Sequence, residues 1–217
     1  MDHLGRAAGP DAHAPLRSLL GDAEVVSWRV RSVHSRPGGG TTATWDVRVR
    51  DGAGERLEVL VVRVRADDPE PQVWRFPDDP DLPGLAAAVQ EGPVRALLDR
   101  CGVDPGPLEL RVRGYRPGRR AVVEVRTPAV RLFVKVVRPS AVASLAERHR
   151  LLRAAGVPVP QVVRVQADGR LVLEALTGTS LRARLREGGL ATAQRHTRSA
   201  FVERVCEAHA HAYASRG

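Results

Sequence analysis

A short basic turn, one lysine and one glutamate carry most of the chemistry legible in this sequence. Tyr115-Arg116-Pro117-Gly118-Arg119-Arg120 joins two alternating apolar stretches, and Lys135 sits inside the apolar run Leu132-Phe133-Val134-Lys135-Val136-Val137. A turn rich in Gly and Arg offers backbone N–H groups and guanidinium forks to an anion. A lysine on the next strand brings a point charge to the same anion, and a carboxylate such as Glu147 on the following helix orients the lysine. These are the parts of a phosphate-binding cradle; the plainer alternative is a hairpin with an edge lysine on a solvated face. The cations themselves are skewed, with 33 arginines and a single lysine. Where codon bias has turned interchangeable cations into arginine, a surviving lysine marks a place where a compact ammonium matters and a planar fork does not.

Other groups with donor side chains have weaker spacing. Cys206, Glu207, His209 and His211 are zinc-type donors, but two histidines two residues apart on a helix point about 200° from each other and cannot share one ion. Asp78, Asp79 and Asp81, set among Pro77, Pro80 and Pro83, read as a rigid, solvated connector. Cys101 and Cys206 read as small buried hydrophobes. No metal site is expected.

The elements that must position the cradle are mostly strands. Val25–Arg31, Thr44–Arg50 and Leu57–Arg65 alternate apolar with charged residues, as half-buried antiparallel strands do, and Asp51-Gly52-Ala53-Gly54 turns between two of them. Leu85–Cys101 has helical spacing. Strands resume at Leu108–Tyr115, Ala121–Arg126 and Val130–Val137; a helix runs from Pro139 to Gly156 with Val142, Leu145 and Leu152 as its stripe. Strands follow at Val162–Gln166 and Arg170–Leu176, with a turn at Asp168-Gly169. Arg36-Pro37-Gly38 faintly echoes Arg116-Pro117-Gly118, with Arg63 in the place of Lys135. The expected organisation is a mobile leader over 1–20, a β-rich unit with a Pro/Asp-rich connector and helix over 21–107, a second sheet unit over 108–185, and a helical tail over 186–217. The fold class is α+β with antiparallel sheets and packed helices.

Composition bounds the rest. With 217 residues, 43% hydrophobic and 27% charged, the chain can bury a core, which excludes collagen, a coiled coil and wholesale disorder. No apolar run approaches the roughly 20 residues of a membrane span, so no membrane partner is expected, and two cysteines fit a reducing, cytoplasmic setting. The net charge of +9 raises a rival reading, a basic nucleic-acid-binding protein whose arginines at 29, 31, 48, 50, 63, 65, 111 and 113 pave a sheet face. Aromatics are 4% and are not interleaved with those arginines, so stacking platforms are lacking and nucleic acid is not the expected partner.

The ordered string Tyr115–Val123, Leu132–Pro139, Arg148–Leu152, Ala155–Pro160 and Leu171–Gly178 resembles the amino-terminal lobe of the aminoglycoside phosphotransferase family, a kinase-like family, in an actinobacterial branch of small-molecule phosphotransferases. Trp74–Leu85 resembles a segment such proteins carry upstream of that lobe. The resemblance implies ATP as the nucleotide partner. Lys135 would pair with its α- and β-phosphates, and Pro117, Gly118, Arg119 and Arg120 would cover them. Glu174, Ala175 and Leu176 would form the hinge beside adenine, and Glu147 would pair with Lys135. The family lysine-pairing Glu falls at Arg148 or His149 by spacing, one or two residues beyond Glu147. The family's His-Gly-Asp segment does not occur in the sequence. Catalytic residues are therefore expected outside this chain, Mg²⁺ is expected only with the catalytic lobe, and the acceptor is an unassigned small molecule. The expectation is the nucleotide-binding part of an ATP-dependent phosphotransferase, a truncated chain inactive alone. The alternative is a nonenzymatic module that self-associates through the exposed lobe face.

Overall fold

The computed structural model describes residues 3–36, 40–68 and 70–178. The expected tail over 186–217, with its His209 and His211, lies outside the described residues.

The first sheet is an antiparallel meander, β1 (Glu24–Arg36), β2 (Gly40–Asp51), β3 (Gly54–Val64) and β4 (Gln72–Arg75), in that order. Alternation decides its faces: Ala43, Trp45, Val47 and Val49 on β2 are buried, while Arg48 and Arg50, the residues after Val47 and Val49, are exposed. Leu60, Val62 and Val64 on β3 join the same core. The cover of that core corrects the sequence reading, because the expected mobile leader is ordered. It forms α1 (His3–Ala8), a short 3-10 turn and α2 (His13–Arg17). Ala7, Ala12, Leu16 and Leu20 complete the core against β2 and β3, and Trp45 Nε1 donates to the Ala7 carbonyl at 3.0 Å. Residues 3–20 hold too few apolar positions to show a period, yet an apolar sheet face needs a cover.

The Pro/Asp-rich connector is also more structured than expected. Residues 72–75 form β4, which pairs with β3 through Val61 and Trp74; four residues are too short for alternation to announce a strand. The expected continuous helix over 85–101 is two helices, α3 (Leu85–Val89) and α4 (Glu91–Asp99), parted at Gln90, whose ψ of 135° is extended. Pro93 has no N–H and would strike the carbonyl four residues back in an unbroken helix; placed in the first turn of α4 it costs nothing.

The second sheet contains β5 (Glu109–Arg116), β6 (Arg120–Arg126), β7 (Arg131–Val137), β8 (Val162–Val165) and β9 (Arg170–Glu174). It is antiparallel throughout, in the order β5-β6-β7-β9-β8, and α5 (Pro139–Ala154) connects β7 to β8. Ala121, Val123, Val125, Val134 and Val136 face Leu82, Leu85, Val94, Leu97 and Leu98, forming the larger core. Each fully buried leucine there contributes about 1.5–3 kcal/mol. On the opposite face Val137, Leu171 and Leu173 pack against Val142 and Ala146 of α5. The architecture is α+β with a four- and a five-stranded antiparallel sheet. Among the described residues no helix is long and apolar enough to cross a membrane.

Candidate functional site

The face of the second sheet that carries α5 is open over β5, β6 and β7. Period-two geometry puts Val122 and Glu124 of β6, Phe133 and Lys135 of β7, and Leu171 and Leu173 of β9 on this face, with Val122 opposite Lys135 and Lys135 opposite Leu171. Above it lies a cleft of about 1220 Å³, whose lining includes Arg116, Arg120, Lys135, Leu173, Glu174 and Leu176. The β5–β6 turn closes one end, and the segment after β9 runs along the other.

Lys135 is half-buried in the wall of this cleft. Desolvation first, and then the cations of Arg120 and Arg148, pull its ammonium below the ordinary lysine value. The expected pair with Glu147 is not formed: Glu147 faces solvent and pairs with Arg150 at 3.4 Å, one turn along α5. Among the described residues no carboxylate pairs with Lys135, so the ammonium and its guanidinium neighbours leave an uncompensated positive seat. Such a seat favours an anion.

The other sequence-derived residues divide. Arg120, Glu174 and Leu176 line the cleft beside Lys135. Pro117, Gly118 and Arg119 line a smaller cavity on the far side of the turn. The Glu174 amide donates to the Gln161 carbonyl at 3.0 Å and the Ala175 amide to the Arg131 carbonyl at 3.2 Å, so both N–H groups are already committed to holding the segment against the sheet.

Two groups that shape the site were missed in the sequence. Glu124 is only 1% exposed, beneath the cleft, and binds Arg113, Arg126 at 3.2 Å and Arg131 at 2.6 Å. Burial pushes its carboxyl up, but the hydrogen bonds from Arg131, Arg113 and Arg126 outweigh this and hold it at about 2. Arg131 is thereby fixed over the Phe133 ring, 5.3 Å from its centroid. A glutamate in a strand flanked by arginines reads as ordinary surface alternation, and nothing local marks it as buried.

The second is Asp79, expected in a solvated connector and found 3% exposed. Its Oδ2 accepts the Gly118 N–H at 2.7 Å and the Tyr115 hydroxyl at 2.8 Å, and its Oδ1 accepts the Asp81 N–H at 3.0 Å. Trp74 Nε1 donates to the same Tyr115 oxygen at 2.9 Å. The carboxylate thus ties the tip of the β5–β6 turn to the connector and the first sheet. Only the fold, across 39 residues, brings Asp79 and Gly118 together.

The arginines that suggested a basic sheet face are largely neutralised. Arg31 pairs with Asp46, Arg48 with Glu55, Arg50 with Glu55 and Glu24, and Arg111 with Glu109. No group of three or more metal-ligating side chains occurs among the described residues. The chain matches no family model, no curated protein and no solved structure.

Proposed function

We propose that the second sheet is the nucleotide-gripping lobe of a kinase-like, small-molecule phosphotransferase, with ATP in the cleft. Lys135 takes the phosphates, Arg116 and Arg120 cover them, and the 174–176 segment borders the base. The observation that carries this reading is the placement of Lys135: an unpaired, half-buried ammonium flanked by cations, facing a cleft closed by a basic turn at one end and residues 174–176 at the other. The strand order, with a helix between the third and fourth strands, supports the lobe that the sequence resemblance implies. The cleft exceeds the roughly 300–1,000 Å³ typical of organic-ligand pockets, so size does not oppose a nucleotide.

The reading assigns binding and not catalysis. Phosphoryl transfer needs a group to orient the acceptor hydroxyl and ligands to hold Mg²⁺, and the described cleft residues are assigned neither role. Calorimetry with ATP tests it. Lys135→Ala weakens binding about tenfold, the loss expected for one charge-assisted contact, and Lys135→Arg restores little, since a planar fork does not replace an ammonium. Equal affinity of wild type and Lys135→Ala overturns the assignment.

A further inference from the structure

The β5–β6 turn has two sides, and the side away from Lys135 carries a second concentration of positive charge. A cavity of about 130 Å³ lies between the turn and the first sheet, lined by Arg63, Arg65, Arg116, Arg119, Arg138 and His34 among others. These guanidiniums come from the end of β3, the end of β5, the turn and the start of α5, so tertiary structure and not a charged run assembles them. Among the described residues Asp81 is the one carboxylate that meets them, through Arg63 at 2.8 Å and Arg138 at 3.3 Å. Arg63 is further held by Gln72 Oε1 at 3.2 Å and by the Trp74 ring at 4.7 Å. Arg65, Arg116 and Arg119 have no carboxylate partner among the described residues. Five guanidiniums against one carboxylate repel one another, and a multiply charged anion relieves that repulsion while accepting bidentate hydrogen bonds.

We propose that this cavity is a binding site for a phosphate-class polyanion, on the opposite side of the turn from Lys135 and sharing only Arg116 and His34 with the nucleotide cleft among the described lining residues. Its volume is well below that of pockets for organic ligands, which restricts the occupant to inorganic scale: pyrophosphate, or the terminal phosphates of a larger molecule. Its position gives it consequence. An anion there bridges Arg63 and Arg65 of the first unit to Arg116 and Arg119 of the second, across the turn that Asp79 holds.

Calorimetry on the full chain with inorganic pyrophosphate in low-salt buffer tests the site. The expected result is binding that Arg65→Gln and Arg119→Gln each weaken about tenfold, with unchanged circular dichroism because both side chains are exposed. Lys135→Ala is expected to leave pyrophosphate binding intact. Addition of ATP to pyrophosphate-saturated Lys135→Ala protein separates the two sources of phosphate: displacement identifies a nucleotide's tail as an occupant, and its absence identifies the free anion. No binding to wild type, or binding indifferent to both arginine substitutions, overturns the proposal. Loss in Lys135→Ala alone also overturns it by moving the anion into the cleft, and leaves the nucleotide reading standing.

Discussion

Glu124 keeps its charge in a place where burial alone would discharge it, and three arginines are the reason. Their removal of the folded-state proton affinity makes the carboxylate a pH-dependent source of stability. With the carboxyl at about 2 in the fold against an ordinary glutamate's 4.5, the unfolded chain binds more protons between those values, so stability rises with pH across that interval. Above about 4.5 the contribution is fully present, and it is lost as pH falls toward 2. Glu124→Gln is expected to destabilise the protein by about 2 kcal/mol at neutral pH and to flatten the acid limb of its stability curve; urea titrations from neutrality down to pH 3 check both. An unchanged acid limb sinks the argument. The strand that carries Lys135 was legible from its alternation. Glu124 was not, because depth below a sheet is a property of what packs on that face and not of alternation.

The turn between β5 and β6 is the element on which both proposed anion sites depend. Gly118 has φ +64°, the left-handed region open to glycine, and an added Cβ would also meet the Arg63 guanidinium and Asp81. Gly118→Ala is expected to cost about 1–2 kcal/mol from the backbone alone and to displace the Arg63–Asp81 bridge; thermal unfolding measures the first and weakened pyrophosphate binding the second. Asp79→Ala leaves a buried N–H and a buried hydroxyl without their acceptor, a loss of about 2 kcal/mol. Hydrogen exchange at the Gly118 amide is expected to accelerate, and unchanged protection there means that Asp79 does not hold the turn. Hairpins and α5 were readable because period and turn residues agree over many positions. β4, the break at Gln90 and the leader helices were not: one is four residues long, one hinges on Pro93, and the last exist because Leu16 and Leu20 cover a sheet formed later in the chain.

At the scale of the molecule, the two sheets share a junction of Trp74, Asp79, Asp81, Tyr115 and Gly118, with the Phe76 ring 5.1 Å from that of Tyr115, and the first also needs its amino-terminal helices. Removal of residues 1–20 strips Ala7, Ala12, Leu16 and Leu20 from the core around Trp45 and is expected to shift tryptophan emission to the red. Unshifted emission in the shortened chain contradicts a structural role for the leader. The two runs of strands were visible as a change of pattern, while the packing of Leu82, Leu85, Val94, Leu97 and Leu98 against the second sheet was not, since it joins residues distant in sequence. Tyr115 gives that coupling a chemical marker. Burial, and then the charge of Asp79, push its phenol well above the ordinary value of 10.0, so the folded chain holds this proton where an unfolded one releases it, and stability falls as pH rises above about 10. In alkali, the ultraviolet band of the Tyr115 phenolate is therefore expected to lag behind that of an ordinary tyrosine until the sheets part, which makes that band a clock of their separation.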